Sequence, residues 1–287
     1  LTFIGAGDAL RTLDELGPAA GIEISTDGLR RLARILLPGD AVDPMQHNDA
    51  VDPELRKSFG FGPPLPPPQL NYESGAWLNW FFPQAHAAAS MNPEAVNKLN
   101  NWVPKVGDMD VYLPMVRDVL KMVTAEQLQT NELESAYHDV FRKLVLTTAW
   151  QESCWRQFVA EDDKRVPIKS GTGDVGMMQI NTKVWRGFYD LQGLRWDIVY
   201  NARAGTDILA HHLINYAIGK EEHRTTGSVD NLARATYAAY NGGPRQYNRY
   251  RRSDASAQGK KVDSLFFAKY RAISDGDELA VTACYRD

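Results

Sequence analysis

From Asn92 onward, apolar residues return at helical spacing and almost nowhere alternate as they would along a strand. This periodicity limits the fold more than any other feature of the chain. "ELESAYHDVFRKLVLTTAWQES" sets Tyr137, Val140, Phe141, Leu144, Val145 and Thr148 on one face and predicts a helix from about Glu132. "DIVYNARAGTDILAHHLINYAI" predicts a second helix, and "DNLARATYAAYNGGP" a third, stopped by Gly242, Gly243 and Pro244. "NPEAVNKLNNW" begins with Asn92 as N-cap and Pro93 at the first helical position. No internal repeat at solenoid periods is present. The expected class is mainly α.

The upstream third has a different texture. It contains one clear helical pattern, "STDGLRRLARILLPGD", with Ser25 or Thr26 as N-cap. Pro63, Pro64, Pro66, Pro67 and Pro68 then rule out helix and favour an extended connector over 61–70. The aromatic run "WLNWFFP" at 77–83 reads as core or as a domain contact. These shifts predict a helical accessory region over 1–130 and a second domain over 131–287.

Composition excludes several classes. The net charge is −4 and no basic cluster appears, so no nucleic-acid partner is expected. No stretch approaches the roughly 18 apolar residues of a membrane span. The chain begins at Leu1 without a leader, which predicts a mature or trimmed form from which any signal peptide or lipid anchor would have been removed. Cys154 and Cys284 leave two readings open, a single bridge in an oxidising compartment or two buried thiols. "FIGAGDAL" has Leu10 where a dinucleotide loop needs its third glycine. His211 and His212 project about 100° apart on a helix, and no Cys/His spacing suits zinc, so neither metal nor cofactor is expected.

The residues with chemistry to offer lie in three segments. Glu152 sits late in its helix beside Trp150 and Trp155, where desolvation would raise its pKa toward the range of a general acid. In "GTGDVGMMQIN", Gly171, Gly173 and Gly176 permit backbone shapes and close approaches that a Cβ would hinder. Met177, Met178 and Ile180 can anchor the end of that loop, while Gln179 can offer an amide to a polar ligand. Tyr237 and Tyr240 share one helix face, with Asn241 at the helix end.

In this order the segments resemble the lysozyme-like domain of the soluble lytic transglycosylases (glycoside hydrolase family 23). "AWQESCW" resembles the family's catalytic Glu followed by Ser, and "SGTGDVGMMQIN" its Ser-x-x-Gly-x-x-Gly-Leu-Met-Gln signature. "NARAGTDILAHHL" is similar to its Asn-Ile-x-x-Gly-x-x-Tyr-Leu helix, and "AAYNGGP" matches its Ala-Tyr-Asn-x-Gly. The resemblance runs from about Leu144 to Arg251. It implies Glu152 as sole acid/base, Met178 and Gln179 lining the sugar groove, and Tyr240 bonding near the Glu152 carboxyl. It further implies that Asn241 shapes the groove floor and that Ser170 takes the place of the signature serine. The implied substrate is the glycan strand of bacterial peptidoglycan, cut without water to leave 1,6-anhydro ends and with no cofactor. The implied setting is the periplasm or cell envelope, with a cell-wall or secretion-machinery protein as candidate partner.

Three departures accompany the resemblance. The spacing from Glu152 to Ser170 is about nine residues longer than is common in the family, Asp174 stands at a usually uncharged position, and Cys154 replaces a small residue. Pairing of Cys154 with Cys284 would tether the C-terminal tail. Two rival readings remain. A goose-type lysozyme or chitinase-like hydrolase would need a second carboxylate, from Asp162, Asp163 or above all Asp174. A non-catalytic wall-binding or assembly protein would keep the groove alone.

Overall fold

The computed structural model describes residues 51–70, 92–131 and 133–285. The helix expected within 25–40 and the aromatic run at 77–83 lie outside the described residues. Internal contacts divide the chain into two units, whose described parts are 51–64 with 185–190, and the remainder.

The first unit is built around a buried arginine. Helix α1 (Pro53–Ser58) starts at Asp52, whose carboxylate accepts from the Glu54 and Leu55 amides, with Pro53 in the first turn. Arg56 on this helix is almost fully buried. Its guanidinium donates to the carbonyls of Gly62 and Phe188, both at 3.0 Å, and stacks 5.1 Å from the Tyr189 ring. Phe59, Phe61, Trp185 and Phe188 meet edge to face around it at 5.4–5.6 Å.

In the second unit, 65–70 form neither helix nor strand, as the prolines dictate. Helix α2 (Pro93–Asn100) begins as the sequence predicts, with the Asn92 side chain accepting from the Glu94 amide at 3.0 Å. Helix α3 (Met109–Thr130) follows, then α4 (His138–Ser153). The first turns expected for α4 from Glu132 are instead a separate 3₁₀ turn at Ser135–Tyr137. Val140, Phe141, Leu144, Val145 and Thr148 are buried on α4, and so are Leu146, Thr147 and Ala149. A helix buried on so many sides must be central. It packs against α3 and, as the chain continues, against three further helices.

After α4 the chain forms two small antiparallel hairpins. β1 (Phe158–Glu161) pairs with β2 (Lys164–Pro167), and β3 (Asp174–Val175) with β4 (Ile180–Asn181). The first hairpin lies between Glu152 and Ser170, the stretch that the resemblance marks as longer than is common. Its tip, Asp162-Asp163, has both residues in the left-handed region (φ 48° and 58°), the geometry of a type I′ turn. Helices α5 (Leu191–Trp196) and α6 (Ile198–His212) come next, α6 running into a π-helical stretch at Leu213–Ile218. Helices α7 (Glu222–Thr226), α8 (Asn231–Gly242) and α9 (Ala257–Ser274) complete the unit. α8 ends where Gly243 adopts φ 89°, as the glycine pair predicts. α4 lies against α6, α8 and α9, and α3 also packs along α6. The class is mainly α, as expected.

Cys154 and Cys284 are bridged, linking residues 130 apart. Cys154 caps α4 in the left-handed conformation, and the Tyr285 hydroxyl donates to its carbonyl at 2.6 Å. The bridge therefore fastens the C-terminal 3₁₀ segment (Glu278–Tyr285) two residues beyond Glu152. Reduction, or Cys284→Ser, is expected to lower unfolding free energy by about 2–4 kcal/mol. Urea titrations with and without reductant measure this, and coincident curves would contradict it.

Candidate functional site

Glu152 lies in the last turn of α4 and keeps part of its surface open to solvent. The Tyr237 hydroxyl, from α8, donates to its Oε1 at 2.9 Å. Burial pushes the Glu152 carboxyl up to about 7. The Tyr237 hydrogen bond works against that rise, the Asp174 charge adds to it, and Lys269 opposes it. Tyr237 is itself pushed well above its ordinary value, first by burial and then by Glu152, so it stays a donor. Its ring lies parallel to Phe266 of α9 at 4.1 Å, which fixes where the hydroxyl points. Lys269, also on α9, donates to Gln151 at 2.8 Å and sits over the Trp150 ring.

The glycine-rich segment is tied by side-chain hydrogen bonds to the end of α4 and to its other neighbours. All four backbone polar groups of Met177 and Met178 are taken by side chains from different parts of the unit. The Met177 amide donates to Gln157 and its carbonyl accepts from Ser153, at 2.8 and 2.7 Å. The Met178 amide donates to Asn201 at 2.8 Å, and its carbonyl accepts from Tyr240 at 2.6 Å. Gln157 and Asn201 are fully buried and bracket the loop further, donating to the Leu194, Arg195 and Val175 carbonyls. Gly176 adopts φ 73°, and a Cβ there would lie 2.3 Å from Asn201 Nδ2. Glycine is required twice over, by conformation and by space.

This geometry revises several expectations. Tyr237, not Tyr240, reaches the Glu152 carboxyl; Tyr240 is three residues on and holds the loop instead. Met178 is fully buried, its side chain pressed on Gly205 of α6, so that side chain is no part of an open groove wall. Gln179 is half-buried at φ 48°, an uncommon conformation for a residue with a Cβ. Its amide nitrogen donates to the Gly176 carbonyl at 2.8 Å. Asn241 is exposed and accepts from Arg249, which also makes a two-pronged pair with Asp263.

Of the candidate second carboxylates, Asp162 and Asp163 stand exposed at the hairpin tip. Asp174 accepts from Ser170 and Thr172, both at 2.5 Å, and from Asn181 at 2.8 Å. Burial alone would raise its carboxyl, but these donors outweigh burial and hold it below the ordinary value. Ser170 thus belongs to the loop's internal network, accepting from the Asp174 amide as well.

Sequence reasoning did not single out Gln157, Lys269 or Phe266. Asn201 and Gly205 stood within a quoted block, and their roles are now explicit: one holds the loop amide, the other makes room for Met178.

A helical lysozyme-like unit thus presents one half-buried carboxyl of raised pKa beside a clamped, glycine-shaped loop. Residues 130–262 match the family model of the transglycosylase SLT domain, which supports a soluble lytic transglycosylase. The family implies peptidoglycan as substrate. No curated protein and no solved structure matches the chain. The match spans the last residue of α3 to the start of α9, while the rest of α3, Phe266, Lys269 and Cys284 fall outside it. Among the described residues, no helix is long and apolar enough to cross a membrane.

Proposed function

We infer that the protein cleaves the β-1,4 bond between N-acetylmuramic acid and N-acetylglucosamine without water, with Glu152 as the only proton carrier. The observation that carries this reading is the Glu152 carboxyl, pushed up to about 7 and oriented by Tyr237. Protonated Glu152 donates to the bridging oxygen, and the bond from that oxygen to the muramoyl C1 breaks. The resulting carboxylate then takes the proton of the C6 hydroxyl as its oxygen bonds to C1, closing the 1,6-anhydro ring. Glu152 ends as it began, and no water is consumed. Gln179, half-buried, and Asn241, exposed, are assigned to the sugar, and Ser170 to shaping the loop.

Hydrolysis is the second reading, since Asp174 is ionised and its field reaches Glu152. Three side chains already donate to the Asp174 carboxylate, which supports a loop-building role over that of a base. Residues 1–130 are assigned an accessory role, supported by α3 bracing α4 and α6. The disulfide supports an oxidising location such as the periplasm or cell envelope. Digestion of purified peptidoglycan followed by mass spectrometry tests the reading: anhydro ends support it, and reducing ends one water heavier overturn it.

The pH dependence follows from the carboxyl. The acid must enter protonated, so activity falls about tenfold per pH unit above its pKa, near 7. Tyr237→Phe removes a bond that favours the carboxylate, and should move this limb to higher pH. Asp174→Asn removes a like charge and should move it lower. A limb that ignored both substitutions would mean that another group titrates.

A further inference from the structure

Away from Glu152, a cavity of about 240 Å³ opens between strand β2, the end of α2 and helix α5. Gln69, Asn101, Arg165, Gln192 and Trp196 line it. Arg165 is half-buried and lies 4.5 Å from the Phe158 ring centroid and 5.2 Å from that of Trp196. It donates one hydrogen bond, to the Asn100 carbonyl. Among the described residues no carboxylate pairs with it, and burial pulls its pKa down with no opposing charge. A guanidinium has five N–H donors in a planar fork that fits a carboxylate. This one lies over two rings, with most of its donors unspent.

We propose that this cavity binds a carboxylate carried on the glycan strand, with Arg165 as its partner and Gln69, Asn101 and Gln192 contacting the adjoining polar groups. The proposal rests on peptidoglycan being the substrate. Arg165 is three residues before Ile168, whose carbonyl is within 3.4 Å of the Gln179 amide. Three strand residues span about 10 Å, so one strand can reach from the catalytic loop to the cavity. The sugar backbone is uncharged, so the carboxylate belongs to a substituent, either the attached peptide or the lactyl group exposed once that peptide is removed. The arginine stands on the β1–β2 hairpin, so that hairpin would be a specificity element.

The test is binding, measured by calorimetry in a Glu152→Gln background that blocks turnover. Three probes are compared: a soluble glycan fragment bearing its peptides, the same fragment after amidase treatment, and an uncharged N-acetylglucosamine oligomer. Arg165→Gln is expected to weaken the charged fragments about tenfold and to leave the uncharged oligomer unchanged. Gln192→Trp, at an exposed position, should fill the cavity mouth and give the same selective loss even if Arg165→Gln folds poorly. Loss confined to the peptide-bearing fragment places the carboxylate on the peptide; loss that persists after amidase places it on the lactyl group. Equal affinity of both variants for charged fragments would overturn the site. If the Arg165-intact protein bound none of the three probes, the peptidoglycan reading would fall and take this inference with it.

Discussion

Glu152→Gln is expected to lower the release of soluble fragments from peptidoglycan by roughly 10³-fold while leaving the fold unchanged. In the proposed mechanism one carboxyl carries both proton transfers, so no second residue can cover for its loss. The substitution keeps the side-chain shape and an acceptor for the Tyr237 hydroxyl, which now donates at 2.9 Å. It also removes an ionisation that burial opposes, so thermal stability above pH 7 should hold or rise slightly. A carboxyl held against its own desolvation is a common place to find stability exchanged for activity. Fragment release within a few-fold of the unmodified protein would remove Glu152 from the mechanism.

Gly176→Ala is expected to cost about 3–5 kcal/mol of unfolding free energy, and most of the activity with it. Three causes act together: a Cβ at φ 73°, contacts of 2.3 Å with Asn201 and 2.7 Å with Gln157, and the hydrogen bonds those amides would lose. Both amides are buried, so a displaced donor has no water to turn to. Gly171→Ala is the comparison, because a Cβ there meets nothing within 4 Å. Its cost in a urea titration should be under about 1 kcal/mol. Equal costs at the two positions would contradict the account of the loop as a clamped element.

The two glycines also show where the sequence was legible. That a glycine cluster before Met-Met-Gln meant shaped backbone could be read directly, and so could the helices on either side, because helical spacing is a local property. Which glycine was indispensable could not. That depends on Asn201, twenty-five positions away, and on Gln157, which no pattern marked. The same limit explains the tyrosines. Tyr237 and Tyr240 are both on the inner face of α8, and only the position of α4 beside that helix decides that the first meets Glu152. Asp162 and Asp163 read as a polar run, and the paired strands that make them a turn arise from Phe158–Pro167 cross-strand contacts too short to leave a clear alternation. The bridge between Cys154 and Cys284 was undecided from sequence because it requires the tail to return to the end of α4.

The central claim is that the bond is broken without water. It is tested most directly by digesting peptidoglycan in heavy-oxygen water and analysing the new ends by mass spectrometry. The account predicts anhydro-muramoyl ends that carry no label, formed by the unmodified protein and not by Glu152→Gln. Labelled reducing ends would contradict it and would turn attention to Asp174 as the base that activates water.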